Sequence, residues 1–225
     1  MSLIIKKYDY TRLKKTNVNG SRLYQVPNGK PLPSVTTILD STKDKTKLYE
    51  WRRRVGEKKA QEITTEAAGV GTRMHKYLED YIDTGDWPKE GSNPYAAQAN
   101  KMAAVIKKNA FNFISEILGS EVNLWMPNLY AGTTDLVCTY KNNLAICDFK
   151  QTNKPKKEEW VDDYYLQLVA YAEAHNELFG TQISEGHIFM CSRDLEYQQF
   201  DLTPQDYKKW RSIWYDRLYT FYENY

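Results

Sequence analysis

Between residues 132 and 150 the chain alternates with a period of two on either side of a polar turn, a pattern that a β-hairpin satisfies and a helix does not. Residues 132–140 read as one strand, 141–144 as the turn and 145–150 as the return strand. Asn142-Asn143 is expected to form a two-residue turn, since Asn tolerates the left-handed conformation it requires. Lys141 then faces Leu144, Val137 faces Asp148 and Asp135 faces Lys150. Alternation predicts Asp135, Asp148 and Lys150 on one face of a sheet, with Leu136, Cys138, Tyr140, Cys147 and Phe149 on the other. Away from the charges both faces are apolar, as in a sheet covered on both sides.

Three charged groups at the end of a buried hairpin are costly unless they bind something. One explanation is a buried ion pair between Lys150 and the aspartates. The other is a site in which two carboxylates supply hard oxygen ligands for Mg²⁺ or Mn²⁺ and Lys150 polarises a water or stabilises charge on a phosphate. Two more segments bear on this choice. Gly71, His75 and Glu79 stand four apart and share a helix face. There Gly71 permits close backbone approach, His75 offers an imidazole ligand and Glu79 a further carboxylate; the plain alternative is a surface helix. Gln167 and Tyr171 share a face of an otherwise apolar helix, where they either hydrogen-bond a catalytic Lys or a nucleotide, or are ordinary surface polarity.

Along the chain, residues 8–27 read as a hairpin with turns at Asn19-Gly20 and Asn28-Gly29, and a short helix starts after Ser34 as N-cap. Residues 45–83 read as one or two helices and 95–118 as another, ended by Gly119. Strands follow at 121–128, 130–140 and 144–151, then a helix over 162–179 ended by Gly180. Strands at 184–192 and 196–202 precede a final helix from Pro204, where Tyr207, Trp210, Trp214, Leu218 and Phe221 have the spacing of a core face. The helix after Lys150 is expected to be a crossover between parallel strands. The fold class is therefore α/β: a central mixed sheet flanked by helices, with an N-terminal helical elaboration. Residues 1–94 are expected to form a hairpin and helical region and 95–225 the core, within one compact unit.

A net charge of +2 provides no bulk cationic field, so affinity for nucleic acid must come from local basic clusters. Candidates are Arg52, Arg53, Arg54, Lys58 and Lys59 on a helix, and Lys154, Lys156 and Lys157 beside the Lys150 strand. The helix set alternates with Glu and reads equally as a solvated face. The load of 18 Tyr and 6 Trp suits stacking on unpaired bases as well as packing. Three Cys without paired spacing point to a reducing compartment. The opening Met1-Ser2-Leu3-Ile4-Ile5-Lys6-Lys7 is too short in apolar residues for a signal peptide and lacks the Arg-rich character of a transit peptide. No stretch approaches a membrane span. These features predict a cytoplasmic protein with no membrane partner.

Taken in order, Gly71/His75/Glu79, Gly132/Asp135, Asp148/Lys150 and Gln167/Tyr171 resemble the G-x-x-x-H-x-x-x-E, G-x-x-D, D-x-K and Q-x-x-x-Y motifs of the RecB-like branch of PD-(D/E)XK nucleases. Residues 32–39, 48–54 and 148–156 are similar to segments of the mitochondrial genome maintenance exonucleases and their phage-borne relatives. The resemblance implies a restriction-endonuclease-like core and Mg²⁺- or Mn²⁺-dependent exonucleolytic cutting of single-stranded DNA and flaps, in replication, repair or recombination. It implies that His75, Asp135, Asp148 and the Phe149 carbonyl hold the metal, that Lys150 activates the water, and that Gln167 and Tyr171 orient Lys150 or the nucleotide. Glu79 is expected to support the His75 face, and Arg73, Trp51, Arg52, Thr152, Lys154 and Lys156 to contact nucleic acid. Phe149 replaces the family's frequent Trp, and Gln151 its frequent Thr. Some relatives carry an iron–sulfur cluster on four Cys; three Cys cannot supply one. The expected partners are DNA and a single-strand binding or annealing protein, in a phage-infected or bacterial cell. Two rival readings remain: a duplex-resecting exonuclease that feeds an annealing protein, and a catalytically idle nucleic-acid-binding module.

Overall fold

A computed structural model describes residues 1–18 and 20–224. The chain opens with a small antiparallel sheet of β1 (Lys14–Val18), β2 (Ser21–Gln25) and β3 (Leu32–Pro33). Of the turn expected at Asn19-Gly20, Asn19 lies outside the described residues, while Gly20 has φ +82°. Ser34 then caps α1 (Val35–Thr42), accepting the Thr37 N–H at 2.9 Å, the side-chain cap expected from the sequence. Two helices follow, α2 (Thr46–Val55) and α3 (Glu57–Thr84), divided at Gly56 with φ +85°. Next comes α4 (Pro94–Ala110), which Asn93 caps by accepting from Ala96 N at 2.9 Å.

The central sheet comprises β4 (Ile114–Met126), β5 (Tyr130–Tyr140), β6 (Asn143–Thr152), β7 (Glu185–Ser192) and β8 (Tyr197–Leu202), in that spatial order. All its neighbours are antiparallel except β6 and β7, which are parallel and joined through α5 (Asp162–Phe179). This is the expected crossover, and the sheet is the expected mixed sheet flanked by helices. One face packs on α3 and α4 through Met74, Leu78, Met102, Ile106, Leu136, Cys138, Cys147 and Phe149. The other packs on α1, α5 and α6 (Pro204–Glu223) through Ile38, Val137, Ile146, Val169, Ile188 and Trp214. Trp210, expected in the α6 core face, is half-buried and packs its ring 4.9 Å from Tyr165. Among the described residues, no helix is long and apolar enough to cross a membrane.

The helix expected over 95–118 stops instead at Ala110, and Ile114 already begins β4. Side chains there alternate, with Ile117 in one core and Leu118 in the other. Two register shifts near Glu116 and Gly119 blur that period in the sequence. Gly119 is not a helix stop. The Tyr10 ring lies against it, and a Cβ there would meet Tyr10 Cε2 at 2.7 Å.

The hairpin turn also differs from expectation. Lys141 and Asn142 take the left-handed positions, with φ +46° and +73°, and Tyr140 pairs with Asn143. Val137 therefore faces Ile146 rather than Asp148, and Asp135 is not opposite Lys150. Each paired position moves by two residues, an even number, so the division of side chains between the faces is as expected.

One buried histidine bears on stability rather than on the sheet. His175 is fully enclosed on α5, its ring nitrogens 3.0 Å from Tyr10 Oη and 2.8 Å from Thr181 Oγ1. Burial lowers its pKa from 6.5 to about 4. The unfolded chain therefore takes up this proton first as the solution is acidified, so the contribution is whole above pH 6.5 and falls as pH drops toward 4. Between pH 7 and pH 5 the loss is about 2 kcal/mol. In urea titrations at the two pH values, His175→Gln is expected to lose less stability than the native chain by about that amount; parallel losses would contradict the assignment.

Candidate active site

The paired stretch of β5 and β6 runs from Tyr140↔Asn143 to Leu136↔Cys147 and goes no further, although each strand stays paired on its outer side. Asp135 and Asp148 are the next residues, at the fork. A buried backbone N–H needs an acceptor, and Asp135 Oδ2 accepts that of Phe149 at 2.7 Å. One face of α3 lies against the fork. Gly71 allows this approach, since a Cβ there would lie 3.1 Å from Gln151 Cγ. One turn on, His75 Nδ1 is 3.4 Å from Asp135 Oδ1.

On the α5 side, Lys150 forms a short ion pair with Asp148 and donates to Gln167 Oε1 at 3.2 Å. Gln167 Nε2 in turn donates to Tyr171 Oη at 3.5 Å. The Tyr171 ring fills the space over Gly132, where a Cβ would sit 2.6 Å from Cε1. Residues of all four sequence motifs thus meet in one cleft of about 570 Å³. Gly71, His75, Glu79, Asp135, Asp148, Lys150, Gln167 and Tyr171 line it.

Glu121 on β4 also lines this cleft, although none of the sequence motifs includes it. The pairs Ser120↔Leu136 and Val122↔Thr134 put it opposite Asp135. Its left-handed φ of +51° is uncommon for a non-glycine residue in a strand. One ligand atom from each of His75, Glu121 and Asp135 lies within 4.8 Å of the others. The available signal is a Glu two residues after a Gly, hidden because Gly119 reads as a helix stop.

The charges are strongly coupled. Burial pushes the Asp148 carboxyl up to about 6 against the pull of Lys150. Burial, and then the nearby Asp135, raise Glu121 to about 7. For Asp135 burial opposes ionisation, yet His75, Lys150 and the Phe149 N–H outweigh it and hold its pKa below the usual carboxylate range. Burial likewise works against a charged His75, but Asp135 raises its pKa to about 9. A set of carboxylate oxygens with one imidazole is the donor chemistry that Mg²⁺ and Mn²⁺ accept, and the cleft residues fit such an ion.

Other candidates lie outside the cleft. Arg73 turns back to its own helix, donating to Gly69 O at 2.9 Å, and lines a separate hollow with Glu62 and Tyr95. It sits two positions from Gly71 and thus on the opposite side of α3. Arg52 on α2, beside the half-buried Trp51, pairs at 2.6 Å with Glu57 at the start of α3. Thr152 closes its own loop by donating to Lys154 O at 2.8 Å. Lys154 is exposed, and the Lys156 ammonium lies 6.0 Å from the Tyr164 ring centroid. None of these lines the cleft. Glu79 does line it, but its ion pair is with Lys76 at 3.3 Å rather than with His75.

No family model matches the chain. Among characterised proteins, mitochondrial genome maintenance exonuclease 1 of Xenopus tropicalis is 26% identical over 231 residues, 93% of this chain and 63% of its own. The Homo sapiens protein of the same name is 26% identical over 80% of this chain and 56% of its own. The chain is similar to mitochondrial genome maintenance exonuclease 1. It spans little more than half the length of these relatives. A crystal structure of a proposed exonuclease from Eubacterium rectale is similar over 71% of this chain and 68% of its own, with 15% identity and a TM-score of 0.49.

Gly132→Ala forces the Tyr171 ring to move and overpacks the α5 face, at a cost of about 1–3 kcal/mol. A melting curve is expected to fall by roughly 2–4 °C per kcal/mol for a chain of this size. An unchanged midpoint would mean that Tyr171 has room to spare over this position.

Proposed function

We propose that this chain is a metal-dependent deoxyribonuclease that removes nucleotides from the ends of single-stranded DNA or flaps. The observation that carries the reading is the meeting, at one fork in the sheet, of His75, Glu121 and Asp135 with the Asp148–Lys150 pair. Relationship to mitochondrial genome maintenance exonuclease 1 supports it.

In this reading His75, Glu121, Asp135, Asp148 and the Phe149 carbonyl hold Mg²⁺ or Mn²⁺. A bound divalent ion supplies Lewis-acid stabilisation of the phosphate and a more acidic water. The chain's own groups do the rest. Lys150, enclosed and cationic, orients the attacking water and offsets charge that grows on the phosphate oxygens in the transition state. Gln167 accepts from the Lys150 ammonium and keeps it directed at the fork, and Tyr171 steadies Gln167 in turn. Single strands are the expected substrate because a chain with 18 Tyr and 6 Trp offers rings that stack on unpaired bases, at about 1–3 kcal/mol per base. Duplex binding depends mainly on phosphate charge, and a net charge of +2 provides little of that.

End-labelled DNA is expected to be degraded with Mg²⁺ or Mn²⁺ and not with EDTA, and Asp148→Asn to abolish cutting while the protein still binds DNA. Cutting that survives either treatment would refute the metal-dependent reading. Binding without any cutting, in the native chain and with metal present, would favour the idle module. Lys150→Ala is expected to lower kcat by roughly 10²-fold or more; normal turnover at saturating metal would remove Lys150 from the reaction.

The two enzyme readings separate on substrate form. One labelled strand, alone and annealed into a blunt duplex, is compared by initial rate at fixed salt. Faster loss of the free strand is expected, whereas faster loss of the duplex would support resection that feeds an annealing protein.

A further inference from the structure

Opposite α3, the wall of the cleft is the β1–β2 ribbon, and its composition is unusual for an element that only supports a fold. All five residues of β1 are exposed. The ribbon is tied down by a small apolar cluster of Leu13, Tyr24, Val26, Leu32 and Ala131, and by a 3.0 Å hydrogen bond between Tyr24 Oη and Thr133 Oγ1. A two-stranded ribbon is marginal by itself, so this one is held over the site by a few contacts while leaving its other side chains unburied.

Register determines which side chains face the cleft. Lys15 pairs with Tyr24 and Asn17 with Arg22, so these four share a face. Tyr24 is the anchor to β5, which makes this the inner face, and Lys15 and Arg22 both line the cleft with it. Lys14 and Thr16 belong to the outer face. Inside the cleft, Lys150 is paired with Asp148, and Lys76 with Glu79 and Asp80. Lys15 and Arg22 have no ion-pair partner among the described residues. The cleft is therefore polar in the electrical sense: carboxylates at the fork, and on the ribbon two cations outside any ion pair, of which Lys15 lies 5.6 Å from the Tyr24 ring centroid. Lys15 and Arg22 stand one inner-face step apart on opposite strands, about 7–8 Å along the diagonal. From backbone positions that far apart, the two long side chains can reach neighbouring phosphates of one strand.

We propose that the ribbon is a phosphate-holding wall, in which Lys15 and Arg22 bind backbone phosphates of a single DNA strand next to the phosphate at the carboxylates. The assignment rests on the nuclease reading of the cleft for its choice of DNA. Cations here keep the strand from being repelled by Glu79, Glu121 and the aspartates, and being exposed they do so without a desolvation cost.

The test uses the full chain carrying Asp148→Asn, in EDTA, titrated with a fluorescent single-stranded oligonucleotide at several salt concentrations. Adding Lys15→Ala and Arg22→Ala together is expected to raise Kd by about 10-fold and to lower the salt slope by roughly 1.4, or about 0.7 for each phosphate no longer held. Lys14→Ala, one residue away on the outer face, is expected to change neither. Inorganic phosphate is the second arm, and at concentrations matching the oligonucleotide it is expected not to displace the strand. Unchanged affinity and slope in the double variant, an equal loss in Lys14→Ala, or displacement by phosphate would each overturn the assignment. Metal-dependent cutting by the otherwise native chain is scored separately. If cutting is absent while the double variant still binds the strand weakly, the nuclease reading fails and the wall stands. If cutting is present and the double variant binds normally, the reverse holds.

Discussion

The hydrogen bond from the Phe149 N–H to Asp135 Oδ2 is the interaction on which the rest of the site depends. A sheet covered on both faces has no water to satisfy backbone groups released from pairing. By accepting this N–H with a side chain, Asp135 allows β5 and β6 to separate without leaving a buried donor unmet. The same bond helps keep Asp135 ionised in surroundings that would otherwise favour the neutral acid. One hydrogen bond thus opens the sheet and holds a negative charge at the opening. The flat face of α3 at Gly71 then closes the fork from one side, and the Lys150–Gln167–Tyr171 chain closes it from the other.

Charge at this fork is shared rather than assigned to isolated pairs. Asp135 is close to His75 and Asp148 to Lys150, while Glu121 has no hydrogen-bond or ion-pair partner among the described residues. Three carboxylates against one imidazole and one ammonium leave an excess of negative charge in a region of low dielectric. Burial first, and the neighbouring Asp135 after it, raise the pKa values of Asp148 and Glu121 and give them an appetite for protons. A divalent cation meets the same demand with oxygen donors already gathered, which is the physical sense in which these residues fit one.

Much of this is legible in the sequence because parity is robust. The sequence places the hairpin turn one residue late, yet Asp135, Asp148 and Lys150 still fall on one face, since the error shifts the pairing by an even number. Helical spacing of four likewise brings Gly71, His75 and Glu79 to one side of α3, and Gln167 and Tyr171 to one side of α5. What stays hidden are features without a clean period. Bulges in β4 conceal its first half, and although Glu121 falls within the expected strand, no pattern of side chains announces the left-handed backbone that turns it to the cleft. Lys15 and Arg22 carry no sequence signal because they reach the cleft through tertiary packing of the ribbon. Arg73 attracts notice by its charge and its nearness to His75, but helix geometry turns it to the opposite side.

The two sides of the cleft are also built under different obligations. Asp135, Asp148 and Lys150 at the fork are enclosed and lean on their neighbours, so a change there disturbs the fold as well as the site. On β1 every residue is exposed, and replacing one costs the fold almost nothing. Substitutions accumulate most easily where they are thermodynamically silent. Over evolutionary time such a protein can therefore exchange Lys15 and Arg22, and with them the kind of strand the proposed wall would admit, while the buried Tyr24 anchor and the fork that would do the cutting stay the same.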